Sequence, residues 1–400
     1  MSTPPPQLTQ QLPEQAGQLS DEAVPLCKKI VSRLQSLRPG RSGQKRVFEP
    51  LPQPSRERLN ASLNDAPIDA DKLASADTYS AKEKAKTVLY LAYGSNLCNE
   101  TFRGVRGIRP LSQLNVLVPS LRLTFDLPGI PYSEPCFANT ALRTPDAPSS
   151  QVTTDDYHKN RWHKGLVGVV YEVTLADYAH IIATEGGGSA YNDILVDCYV
   201  LPKSDTVPEM PASAPFKAHT LFAPIVKADG EARSTDRITR PDPSYAQPSA
   251  RYLKLITDGA AECELPAEYR EYLHDIRPYT ITSKKQAMGK ALFLSIWLPF
   301  VMLVFTLSRQ LQDEKGRAPK WFAFLTALVF KGMWVSYDGA FKKVFGDGER
   351  TAGDDAMRIR EVEDSGVDAE KEGLLEEAVE VLDVQAGRRK SIMEGWSDEA

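Results

Sequence analysis

The strongest constraint on this chain is a run of seventeen residues without a charge, Ala291–Leu307, reading ALFLSIWLPFVMLVFTL. As a helix rising 1.5 Å per residue it would extend about 25 Å, just short of the ~30 Å hydrocarbon core of a bilayer. Lys284, Lys285 and Lys290 precede it and Arg309 follows. Trp297 and Pro299 suit a transmembrane helix, where proline is commoner than in soluble helices. We therefore expect a membrane helix over residues 289–308. A second apolar stretch, Trp321–Phe330, continues past Lys331. That lysine is costly in lipid unless its amine reaches the headgroups. Residues 321–341 are therefore expected as a second span or as an interfacial helix. Positive charges on both sides of the first span leave its orientation open.

The rest of the 400 residues divides around this segment. Hydrophobic residues make up 42% and charged residues 25%, so the chain can bury a sizeable core and is not wholly disordered. Net charge is −5, which excludes recruitment of nucleic acid by a global basic excess. The charge is uneven: residues 346–400 hold 17 acidic and 7 basic side chains, so the first 345 residues are net positive. We expect 346–400 to be a solvated acidic tail. Nine prolines fall in the first 54 residues, among Gln, Ser and Arg. Residues 1–85 are expected to be a disordered, proline-rich arm with no signal-peptide run. Within it Leu26, Ile30, Leu34 and Leu37 fall at helical spacing. Five scattered cysteines without C-x-x-C spacing suggest a reducing compartment and no metal site.

Order is expected from about residue 86 to 282. Strands are expected at Thr87–Tyr93, Val116–Phe125, Gly165–Thr174, Ile194–Leu201 and His219–Val226. Helices are expected at Leu175–Thr184, Pro248–Ala261 and Pro266–Ile276, the last two opening near a proline. Residues 203–216 and 228–248 read as loops. The mixture predicts an α+β fold: a compact antiparallel or barrel-like sheet with packed helices.

Two short stretches could carry chemistry. Tyr93-Gly94-Ser95-Asn96-Leu97 ends an apolar strand. A tight turn there can aim consecutive backbone N–H groups at an anion or a developing oxyanion. Thr184-Glu185-Gly186-Gly187-Gly188 puts a carboxylate at a helix end, beside Ile181 and Ile182. Apolar surroundings can raise such a carboxyl so that it works as base and then as acid. Taken singly, a hairpin turn and an exposed glutamate explain these stretches as well.

In order and spacing the motifs resemble the γ-glutamylcyclotransferase family. The matching stretches are LYLAYGSNL at Leu89–Leu97, GVVYEVTLADYAHIIATEGGG at Gly168–Gly188, the strand Tyr191–Val200, and PSARYLKLITDGAAECELPAEYREYL at Pro248–Leu273. PGIPYSEPCFANT at Pro128–Thr140 looks like fungal members, some of which serve sulfur-containing secondary metabolism. The resemblance implies a small mixed or antiparallel β-barrel with packed helices. It implies cleavage of a γ-glutamyl amide by the substrate's own α-amine, giving 5-oxoproline and an amine or amino acid. Neither a cofactor nor a catalytic Ser or Cys is needed. Glu185 matches the family's catalytic glutamate. Tyr93, Gly94, Ser95, Asn96 and Leu97 match its binding loop, and Tyr252 matches a tyrosine near the pocket. Where animal members carry Ser-Tyr-Leu, this chain has His219-Thr220-Leu221, which leaves the leaving-group preference open.

The expected protein is thus a γ-glutamyl-cleaving enzyme, tethered to a membrane with its catalytic domain in the cytosol. Its substrate would be a small γ-glutamyl compound such as a glutathione-derived conjugate. The alternative is a non-catalytic, membrane-tethered binding or scaffold module on the same fold. The sequon Asn99-Glu100-Thr101 beside the turn favours the cytosolic side, because a glycan there would crowd the site.

Overall fold

The computed structural model describes residues 48–68, 86–143, 157–184, 192–222, 240–311 and 320–351. Apart from Phe48, they belong to one compact unit, Glu49–Ala400. The helical spacing at Leu26–Leu37 and most of the acidic tail lie outside the described residues.

The core is a five-stranded sheet of β1 (Thr87–Ala92), β2 (Ser112–Val118), β5 (Leu166–Thr174), β6 (Asn192–Val200) and β7 (Pro215–Phe222). Their order is β1–β5–β2–β6–β7, with antiparallel neighbours. β7 returns beside β1 in parallel at Tyr90 and His219, which closes the sheet. β1 and β5 are buried on both faces, which is why each reads as a continuous apolar run rather than an alternating one. A separate hairpin joins β3 (Leu121–Ile130) to β4 (Glu134–Leu142). The helices are α1 (Arg56–Ala61), α2 (Leu175–Thr184), α3 (Ala250–Glu262), α4 (Ala267–Asp275), α5 (Lys284–Leu311), α6 (Lys320–Ser336) and α7 (Lys342–Phe345). Ser249 caps α3 by accepting the Tyr252 N–H at 3.0 Å. Sequence and structure agree on an α+β fold and on the bounds of α2.

Four expectations need correction. The single strand expected over Val116–Phe125 is two strands, because Pro119 and Ser120 turn the chain between β2 and β3. β7 starts at Pro215, inside the expected loop; proline is tolerated at the first residue of a strand. The arm is not structureless throughout, since residues 49–68 pack on the barrel. Arg58 donates to the Thr87 carbonyl at 2.9 Å and to Asp65 at 3.1 Å. Pro52 accepts the Gln113 N–H at 2.8 Å, and Ser62 accepts the Lys217 N–H at 2.9 Å. Leu51, Leu59 and Ile68 also pack against the core, but they are too widely spaced to give an apolar period, so the composition gave no sign of order. Finally, the tail does not begin as a solvated run: Gly346–Thr351 is stitched to the β3–β4 hairpin and to Gln247 and Arg240.

That stitching centres on Tyr132, at the tip of the β3–β4 hairpin. Its φ of 65° is unusual for a bulky side chain. The Tyr132 N–H donates to the Gly348 carbonyl at 2.7 Å, and its hydroxyl donates to the Gly346 carbonyl at 2.8 Å. Its ring packs edge-on against Phe293 of α5 and against Tyr337, just after α6. These rings form a second apolar cluster with Val301, Met333 and Trp334. Asp347 accepts from Tyr245 at 2.5 Å, from Tyr337 at 3.1 Å and from the Glu349 N–H at 2.8 Å. Gln247 accepts the Thr351 N–H at 2.6 Å, and Arg240 grips Glu349 through two bonds of 2.9 and 2.7 Å.

Burial disfavours the charged form of Asp347. The hydrogen bonds from Tyr245 and Glu349 and the Lys342 charge outweigh it, holding the carboxyl below its ordinary value. The depressed carboxyl stabilises the fold fully above about pH 4, and the contribution is lost as pH falls through the lower folded-state value. Asp347→Asn is expected to cost about 1–3 kcal/mol, because donors lose a charged acceptor. The thermal midpoint at pH 7 should fall, and the gap to the parent should narrow below about pH 4 in melts across pH.

Candidate active site

β1 delivers the chain into a 3₁₀ turn at Ser95–Leu97. Within it the Leu97 N–H donates to the Gly94 carbonyl at 3.0 Å, and the Cys98 N–H to Ser95 at 3.2 Å. Gly94 and Ser95 are half-buried. Asn96 is buried and donates its side-chain amide inward to the Tyr90 hydroxyl at 2.8 Å. Its side chain therefore braces the turn instead of opening toward a ligand. The Tyr93 hydroxyl donates to the Leu221 carbonyl of β7 at 3.2 Å. Leu97 is wholly buried and anchors the turn in the core.

α3 lies across this turn. Gly259 sits so close that a Cβ added there would lie 2.4 Å from both the Cys98 nitrogen and the Leu97 carbonyl carbon. Only glycine permits that approach. Glu262 accepts the Asn99 N–H at 2.8 Å, and the Cys263 thiol contacts the Leu97 carbonyl at 3.6 Å. About two helical turns before Gly259, the Tyr252 hydroxyl lies 3.4 Å from where a Cβ on Gly94 would be. The same hydroxyl accepts the Ala138 N–H of β4 at 3.1 Å. The structure thus gathers Tyr93, Gly94, Ser95, Asn96, Leu97 and Tyr252 at one place.

Glu185 and Gly186–Gly188 lie outside the described residues, but both flanks of their segment are described. α2 ends at Thr184, and β6 begins at Asn192. The flanks are joined: the Tyr178 hydroxyl of α2 donates to Asp193 of β6 at 2.5 Å. Asp193 also accepts the Ile68 N–H at 2.5 Å and lies 2.9 Å from His219 Nδ1. The Asp193 and His219 side chains are 2% and 3% exposed, so this clasp is dry. Burial, then the Asp193 charge, push the Tyr178 hydroxyl well above its ordinary range, which keeps it a proton donor at any working pH. The Tyr178 ring lies 5.9 Å from Tyr90, the residue that receives Asn96. The turn and the helix leading to Glu185 are therefore braced through adjacent rings.

Cys136, Cys198 and Cys263 are poor candidates for a nucleophile. Burial pushes Cys263 up to about 11 and carries Cys136 and Cys198 higher still, so all three remain protonated at neutral pH. Sequence reasoning missed Gly259, Tyr178, Asp193 and Tyr90. A glycine inside a helical stretch, costing about 1 kcal/mol against alanine, was a signal for Gly259. The pairing of Asp193 with His219 across 26 positions left none. His219 was noted only as a departure from animal members; here it faces Asp193.

A protein named "Gamma-glutamyl cyclotransferase gliK" from Aspergillus fumigatus is 33% identical over 272 residues, covering 66% of this chain and 89% of that protein. This chain belongs to the γ-glutamyl cyclotransferase family. "Gamma-glutamyl cyclotransferase aclK" from Aspergillus oryzae is 30% identical over 273 residues, covering 67% of this cyclotransferase-family chain and 92% of its own. Residues 283–344 match the family described as the AclK C-terminal domain. A solved structure titled "Gamma-glutamyl cyclotransferase" aligns with 50% of the chain and 93% of its own, at 21% identity and a TM-score of 0.34.

Three substitutions, one of them a control, test this cyclotransferase scaffold. Gly259→Ala places a methyl against backbone that cannot move aside, at an expected cost of about 1–3 kcal/mol. Gly339→Ala, in a helix and with nothing within 4 Å, should not lower the melting temperature and can raise it. Asp193→Asn sets an amide against the donors from Tyr178 and Ile68, at about 1–3 kcal/mol. Its melting midpoint should fall by about 2–12 °C in a calorimetric scan, at the 2–4 °C per kcal/mol usual for this domain size.

Proposed function

We propose that this chain is an active γ-glutamyl cyclotransferase, acting on a γ-glutamyl dipeptide or a glutathione-derived γ-glutamyl conjugate. The observation that carries the reading is the Gly94–Leu97 turn with Tyr252 set against Gly94, in a chain of this family. In the proposed reaction Glu185 takes a proton from the substrate α-ammonium. The freed amine attacks the γ-carbonyl, forming a five-membered ring and a tetrahedral oxyanion. The Ser95 and Asn96 N–H groups are suited to receive that oxyanion or the substrate carboxylate. Glu185 returns the proton to the departing nitrogen as the C–N bond breaks, releasing 5-oxoproline and an amine. No water is consumed. The main demand on the site is to hold a flexible γ-glutamyl chain folded for cyclisation, which a braced turn serves.

We infer also that the protein attaches to a membrane through residues 289–308, with its catalytic domain in the cytosol. α5 contains a stretch, Lys284–Val304, long and apolar enough to cross a bilayer, and only 22% of its most apolar window is buried. Asn99 supports the cytosolic side, because its N–H is bound to Glu262 of α3 where a glycan would intrude.

Glu185→Gln in the full-length chain should abolish 5-oxoproline release from a panel of γ-glutamyl compounds, with an unchanged melting curve. Mass spectrometry of the products reads the outcome. Full turnover by that variant would overturn the assignment, and an inactive parent that still binds γ-glutamyl compounds would favour the scaffold reading.

A further inference from the structure

We propose that α5 and α6 enter a lipid bilayer together, as a hairpin whose two ends both stay on the catalytic domain's side. This rests on the membrane reading above and adds to it the path of the chain. The first support is the surface of the hairpin. Met288, Leu292, Ile296, Phe300 and Leu303 are exposed on α5 and fall on one face at helical spacing. Trp321, Phe324, Leu328 and Val335 are exposed on α6. Lys290, the one charge on α5 between Gln286 and Leu307, is partly buried, and Lys331 is exposed on α6 between Leu328 and Val335, where its long stem lets the amine reach toward headgroups. An apolar face of this extent is not left to water in a soluble monomer.

The second support is that the legs form one body. Val301, Phe322 and Met333 are buried, and the Trp297 indole N–H donates to the Ser336 hydroxyl at 3.0 Å. The free part of α5, from Leu294 to Leu311, would extend about 27 Å at 1.5 Å per residue, close to the thickness of a hydrocarbon core.

The third support fixes the topology. α5 leaves the domain beside Gln286, which donates to the Asp347 carbonyl at 2.8 Å, and beside Phe293, which packs on Tyr132. α6 returns to the same place. Trp334 lies under the Arg240 guanidinium at 4.1 Å, and Tyr337 packs on Tyr132. A single crossing would put Gly346–Thr351 on the far side. It would break the bonds to Tyr132, Gln247 and Arg240 and strand buried polar groups. The exposed cations Lys284, Lys285 and Lys343 stand at this common base, where they suit anionic headgroups.

The test uses the full-length chain with a peptide tag after Ala400, synthesised with sealed vesicles that contain anionic lipid. Flotation reads membrane attachment; protease added outside then reads sidedness. The expected result is co-flotation, with tag and catalytic domain either both digested or both protected. Co-flotation with one digested and the other protected means a single crossing, and it overturns the hairpin while sparing the membrane reading. A chain that stays out of the vesicle fraction, as monomer or as dimer, overturns both. The double variant Ile296→Asp, Phe300→Asp changes only exposed positions, so its melting curve should be unchanged. Its floated fraction should fall at least tenfold, and equal flotation would overturn the assigned lipid face.

Discussion

Helix α3 is the interaction on which the rest of the molecule depends. Its cap residue Ser249 donates to Glu134 of β4 at 2.6 Å, and Arg251 pairs with the same carboxylate. Tyr252 reaches both β4 and Gly94. Gly259 lets the helix axis approach until it touches the backbone of the turn. Just ahead of the helix, Gln247 binds residues Glu349 and Thr351. One helix and the residues just ahead of it therefore join the closed sheet, the β3–β4 hairpin and the segment that follows α7. Its contacts are mostly to backbone atoms, which are less forgiving than side chains because they have no alternative rotamer.

The clasp of Tyr178, Asp193 and His219 works on a different principle. It does not touch the turn. It ties α2 to β6, the two described elements on either side of residues 185–191. The dryness of the clasp strengthens its hydrogen bonds and raises the cost of leaving one unmade.

Much of this was legible from the residues. α2 is bounded as its pattern suggested, because Thr174 and Asp177 supply a capping pair at its start: the Asp177 N–H donates to the Thr174 hydroxyl at 3.0 Å. The turn after β1 was legible because a strand running into Gly-Ser-Asn has few other options. The hairpin β3–β4 was not: two prolines flank its sequence, and its stability comes from the Tyr132 socket more than 200 positions away. Likewise the order at residues 49–68 involves Arg58, which binds Asp65 nearby but also the carbonyl and hydroxyl of Thr87, which no local pattern reveals. Local chemistry was readable from the chain, and long-range polar contacts were not.

The tie between Gly346–Thr351 and the catalytic domain sets an order of events in the cell. Gln247 meets Thr351 across 104 positions, and the helical hairpin lies between them. The ribosome must therefore complete both apolar legs before the catalytic domain can make its last contacts. Until then the Tyr132 tip has no socket, and Arg240 has no Glu349. Maturation of the enzyme domain is thus coupled, by the path of its own chain, to the fate of the segment that any targeting machinery would meet first.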